Sequence, residues 1–320
     1  MKRSEKAWLI TAAALVLIGA AIFAAVMSSY HWNFSALGGR TFRTVTVPVD
    51  GAFDSIAIHA GADDVEFLPS EDGTCRAVFY EDPKLQHTVS VEDRTLQIRI
   101  TDSRDWYDRL SFFFEAPRVT LYLPQAQYGT LFVKDTAGDV ILPEDLSFET
   151  ISISGGSGDI DCRASATEQI RIEISTGDVH LENITAGELR LSVSSGDVEI
   201  RSADFRGHVG ITVSTGKTTL AGVKCGSLTS DGDTGDVIME ELLVSGLLSV
   251  TRSTGDVSFE RSDAAELVLV TDTGKVSGSL LTAKHFIAQS DTGSIEVPET
   301  ATGGNCRITT STGDIHITIA

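Results

Sequence analysis

Leu189-Arg190-Leu191-Ser192-Val193-Ser194-Ser195-Gly196-Asp197-Val198-Glu199-Ile200-Arg201 is two alternating runs joined at a glycine. Leu189, Leu191 and Val193 lead into the Gly-Asp pair and Val198 and Ile200 leave it, with Arg190, Ser192, Glu199 and Arg201 between them. A period of two, apolar on one side and polar on the other, is the pattern of a β-strand with one face buried. One lap earlier the same offsets hold Ile170, Ile172, Ile174, Val179 and Leu181; one lap later they hold Val209, Ile211, Val213 and Leu220.

The joining glycine recurs as Gly138, Gly158, Gly177, Gly196, Gly216, Gly235, Gly255, Gly274, Gly293 and Gly313, always 19 or 20 residues apart. Such a period signals a repeat architecture, and glycine supplies the positive φ that a sharp corner commonly needs. Identical offsets keep identical chemistry, so each lap can stack on the last. The expected fold is all-β: a parallel β-solenoid of about ten coils, right-handed by the crossover rule, forming a rod roughly 45–50 Å long. A meander of β-hairpins is the rival, but its turns favour Asn-Gly or Asp-Gly, and it gives no reason for a constant period. A weaker third apolar column is read in the return segment at Ile184, Phe205, Val223 and Leu243.

The flanks set the domain plan. Lys2, Arg3 and Lys6 precede an uncharged run from Ala7 to Met27, long enough to cross a bilayer and longer than a usual cleavable signal. With the basic residues on the amino side, residues 1–6 are expected in the cytoplasm, 7–28 as a membrane anchor and 29–43 as a linker. Residues 44–130 are expected to form an irregular β-rich start and cap, and 131–320 the repeats. Within the start, the segment from Phe53 to Phe67 reads as a degenerate first coil. The chain ends at Ala320 directly after Ile315, Ile317 and Ile319, so an uncovered C-terminal edge at 315–320, open to weak self-association, is expected.

The net charge of −20 argues against nucleic acid as partner, because phosphate is repelled. No spacing among Cys75, Cys162, Cys225 and Cys306 suits zinc. Cys162 falls in the column of Leu181 and Ile200, and Cys306 in that of Leu189 and Leu228, so both read as small buried residues. No cofactor is implied.

Asp follows the corner glycine at positions 139, 159, 178, 197, 236, 256 and 314. Stacked carboxylates repel, and Lys217 and Lys275 interrupt them, which reads as charge management of a structural turn. A sharper reading is a Ca²⁺ site at Asp231, Asp233, Asp236 and Asp256. Polysaccharide-cleaving enzymes on β-helices need paired acids on one outward face. Outward positions here are mainly Ser, Thr and isolated charges, and His180 and His316 share a column seven coils apart. A non-catalytic chain is therefore expected. Candidate partner contacts are Trp106, Tyr107 and Phe113 in an aromatic-rich stretch, and a patch of outward Val268, Val270 and Ile287.

The Ser-Thr-Gly-Asp-Val corners, Asp64-Val65-Glu66-Phe67, Thr95-Leu96-Gln97-Ile98 and Val119-Thr120-Leu121-Tyr122-Leu123-Pro124 resemble a bacterial family of membrane-anchored β-solenoid proteins catalogued as adhesins of unknown function. The resemblance covers residues 44–320. It implies an extracytoplasmic, non-catalytic scaffold that binds a protein or glycan, with some relatives linked to envelope stress; it carries no catalytic or ligand residues. An accessory or sensor in envelope-stress signalling is the second reading, and a carbohydrate-active enzyme the third.

Overall fold

A computed structural model describes residues 3–29, 31–32, 42–103, 117–300 and 302–320. Helix Arg3–Ser29 contains an apolar stretch, Thr11–Ser29, long enough to cross a membrane. The rest of the described chain is strands joined by turns and short loops, and its repeating coils stack in parallel register. Leu189, Leu191 and Val193 lie over Ile170, Ile172 and Ile174, and under Val209, Ile211 and Val213. All nine are buried, as are Val198 and Ile200 beyond the corner. Like over like, the columns make one continuous interior.

Each repeating lap has three faces and three corners. The first corner is the Gly-Asp pair. Eight of its ten glycines have φ between 119° and 156°. Space is the second constraint: a Cβ on Gly196 would lie 1.9 Å from the carbonyl oxygen of Gly177, and one on Gly216 1.9 Å from that of Gly196. The corners nest so closely that only a residue without a side chain fits.

The second corner falls on Asn183, Ser202, Gly222, Glu241 and Arg261, all with φ between 48° and 64°. Residue type varies there while conformation does not, so no motif marks it. The left-handed residue resets the alternation, and two interior columns follow instead of one. Ile184, Ala203, Val223 and Leu242 form the first, and Ala186, Phe205, Cys225 and Val244 the second. The single return column expected from sequence merged these, and Leu243 is in fact exposed. A third corner runs through Gly187, Gly207, Gly226 and Gly246, the last three each donating an N–H to the preceding glycine's carbonyl at 2.8–2.9 Å.

Both ends depart from sequence order. Strands Ser55–His59 and Asp64–Pro69 do make the first coil, with Ile56, Ile58, Val65 and Phe67 buried. That coil is internal, however: it lies between the coil after Gly129 and an outer layer of Thr95–Asp102 and Arg118–Leu123. Antiparallel strands Arg43–Pro48, Arg76–Glu81 and Leu85–Glu92 close this end.

The other end is also permuted. Asn305–Thr312 inserts between Val257–Thr273 and His285–Thr292, and Ile315–Ile319 inserts between Val276–Leu280 and Ile295–Glu296. The expected free edge at 315–320 is therefore covered in part: Ile315 and His316 are flanked on both sides, whereas residues 317–319 pair only with Gly278–Leu280. The outermost coil is 285–296. Gly313 sits against the carbonyl of Gly274, and Gly293 against that of Gly313, so the corner contacts show the same order.

Candidate binding surfaces

The recurrent aspartates are explained by what their carboxylates hold. Oδ1 of Asp139 accepts the N–H of Asp159 at 2.8 Å, Asp159 that of Asp178 at 2.8 Å, and Asp178 that of Asp197 at 2.7 Å. Asp197 continues to Lys217, Asp236 to Asp256, and Asp256 to Lys275. At these corners the carboxylate of the neighbouring coil caps the N–H, as an N-cap residue does for a helix; below Asp236 and Asp314 the corresponding residue is Lys217 or Lys275. At the permuted end Asp314 accepts both the N–H and the hydroxyl of Ser294, at 2.7 and 2.8 Å, and the Ser294 N–H holds the Asp314 carboxyl below its ordinary range.

The expected Ca²⁺ set does not assemble. Asp236 is engaged with the Asp256 N–H, and among the described residues no three His, Cys, Asp or Glu side chains gather as a metal set. Asp231 and Asp233 instead act on Arg252, which is buried in the interior; burial pushes its pKa down and the two carboxylates push it up. Arg252 donates from Nη1 to the carbonyls of Ser230 and Thr251 at 3.2 and 2.9 Å, and from Nη2 to the hydroxyls of Thr218 and Ser230 at 3.2 and 3.0 Å. Gly232, its neighbour in the column, makes the room: a Cβ there would lie 3.0 Å from Nη1.

A second buried polar cluster joins the closing strands to the first coil. His87 stacks on Phe79 at 4.6 Å, with Glu81 Oε2 3.1 Å from Nδ1 and Asp63 Oδ1 3.5 Å from Nε2. Burial pushes its pKa down, but the two carboxylates outweigh burial and hold it above the ordinary value. Nearby, burial raises Asp135 to about 6, helped by the charges of Asp63 and Asp64. Both His87 and Asp63 side chains are fully enclosed, so the cluster is closed to substrate. The four cysteines are free, and burial lifts each thiol to about 12. Cys162 and Cys306 lie in the columns expected of them.

The third face carries surface relief. Two neighbouring clefts, of about 560 and 530 Å³, share Asp204 and Arg206. The first also takes in Lys224 and the exposed Leu243, and the second Gln127 and Thr167. Exposed Arg206, which lines both clefts, donates to the Thr167 carbonyl. Lys284, at the margin, is tied to Asp263 at 2.6 Å.

The patch expected from Val268, Val270 and Ile287 is split. Val268 pairs with Arg307, and Arg307 with Ile287, so a strand separates the valines from the isoleucine. The valines are half-buried and Ile287 is exposed. Trp106, Tyr107 and Phe113 lie outside the described residues. His180 and His316 each face a carboxylate, Glu199 at 3.2 Å and Glu296 at 2.8 Å, and do not meet one another.

A family model described as Toastrack DUF4097 matches residues 53–214 and 207–320. No curated protein matches the chain. Among solved structures, a Parabacteroides merdae protein described as a "putative adhesin" is 12% identical over 76% of this chain and 97% of its own, with a TM-score of 0.51. A Bacteroides fragilis protein with the same description is 15% identical over 87% and 97%, TM-score 0.46. A Parabacteroides distasonis protein described as a "putative lipid binding protein" is 15% identical over 74% and 94%, TM-score 0.49. At 12% identity, the likeness to the Parabacteroides merdae protein is one of fold alone.

Proposed function

The chain belongs to the Toastrack family, and on that premise we propose that it is a membrane-tethered, non-catalytic rod that binds a protein or glycan outside the cytoplasm. The observation that carries this reading is the use made of the repeated carboxylates. Along the Gly-Asp corner they accept backbone N–H groups from coil to coil, which is a stacking role. The buried Asp63–His87–Glu81 group is enclosed. What the rod offers outside is a Ser/Thr-rich wall and the mixed-charge clefts around Arg206 and Lys224.

Tethering is supported by helix Arg3–Ser29, with Lys2, Arg3 and Lys6 at its amino end favouring a cytoplasmic start. Strand Arg43–Pro48 begins a short link later, which leaves the rod on the opposite side of the bilayer. The test uses intact cells making the full chain with a C-terminal epitope. External protease is expected to remove the epitope while the protein stays with the membrane fraction; an epitope protected until lysis contradicts the reading. Cross-linking in the same cells then identifies the partner: a surface glycan or neighbouring-cell protein supports binding between surfaces, and an envelope regulator supports the signalling alternative.

A further inference from the structure

The two ends of the rod are treated differently. At the N-terminal end three antiparallel strands close the stack. At the other end, among the described residues, strands His285–Thr292 and Ile295–Glu296 are paired on one side only. Their outer edge presents backbone donors and acceptors without a strand. The interior column is open there too: Cys306, Ile308 and Thr310 are at most 1% exposed, whereas their neighbours Phe286, Ala288 and Ser290 in the outer coil are half-exposed. Ile287 and Ile295, at 46% and 44%, are the most exposed large apolar side chains on the described rod. The carboxylate ladder also stops here, because Ser294 stands where most inner corners carry Asp. Open edges of this kind are normally guarded by charge, proline or a covering element.

The edge is self-complementary in one register. Two copies related by a twofold axis pair antiparallel, and an even sum of facing residue numbers keeps inward side chains on one face. Centred on Ala288, this register sets Phe286 against Ser290, Ile287 against Gln289, and exposed His285 against exposed Asp291 of the second copy. Centring on Gln289 sets Ile287 against Asp291, and centring on Ile287 leaves the charged residues unmatched. We propose that strand His285–Thr292 pairs antiparallel with itself about Ala288, joining two rods end to end.

Strand Arg43–Pro48, which follows the helix, lies at the far end of the stack from this edge. Paired rods therefore place their helices at opposite ends of a double-length rod. On the tethered reading above, that geometry links two facing membranes through two copies of this chain.

Two measurements separate the parts. Sedimentation of the full chain in detergent reads the pairing itself, and tethering between vesicle populations carrying the chain reads pairing together with anchorage. Wild type is expected to dimerise as concentration rises. His285→Asp, which sets carboxylate against carboxylate twice across the axis, should weaken the dimer on the order of tenfold. Adding Asp291→Lys to that variant should restore it to within about twofold, since opposite charges then face again. Dimerisation without vesicle tethering, with protein absent from the vesicles, overturns the anchor and leaves the pairing standing. A chain that stays monomeric at high concentration, or one whose dimer is indifferent to both substitutions, overturns the pairing.

Discussion

At the scale of single residues, the corner glycine and the aspartate after it have separable tasks. Gly196 has φ of 145° and its Cβ position is occupied by the Gly177 carbonyl. Gly196→Ala should therefore cost several kcal/mol, about 2–4, through strain and the displaced corner, read as a lowered denaturant midpoint. The aspartate contributes an acceptor more than a charge. Asp178→Ala should lose about 0.5–1 kcal/mol, the range of a lost cap at an exposed site, while Asp178→Asn should lose markedly less because an amide oxygen can still accept the Asp197 N–H. The sequence showed the glycine's freedom and the carboxylates' mutual repulsion. It did not show the carbonyl pressed against each glycine or the N–H held by each carboxylate, since both are contacts between coils.

At the scale of elements, strands and interior columns were legible because their alternation repeats at a fixed offset, and Cys162 and Cys306 could be placed by column alone. The second corner was not, because Asn183, Ser202, Glu241 and Arg261 share a backbone conformation and no side-chain chemistry. The buried polar group beneath the closing strands was equally hidden: Asp63, Glu81, His87 and Asp135 are scattered in sequence. It makes stability depend on pH. Asp135 has a folded pKa of about 6, above its unfolded value, so stability should fall as pH rises from about 4 to 6 and then level off for this group. His87, with a folded pKa above its unfolded value, contributes stability that is present below about 6.5 and lost as pH rises through the folded value. Asp135→Asn keeps an acceptor for the Thr136 N–H and removes the buried charge. It should flatten the pH 4–6 limb and raise stability at pH 7 by about 1–3 kcal/mol in equilibrium unfolding.

At the scale of the whole molecule, the stack follows space rather than sequence at both ends. Insertion of Asn305–Thr312 between Val257–Thr273 and His285–Thr292 covers that strand and the start of the last one, and leaves 285–296 outermost. Nothing in a 19–20 residue period fixes which lap lies on which, because every lap offers the same columns; this is why the free edge was expected at 315–320. The most direct test is a set of pulsed electron–electron spin distances from a label at Arg171 to labels at Val268, Arg307 or Ile287, all in one outward column. With about 4.8 Å per coil, the account predicts distances near 24, 29 and 34 Å in that order. A label at Ile287 nearer to Arg171 than one at Arg307 would contradict it.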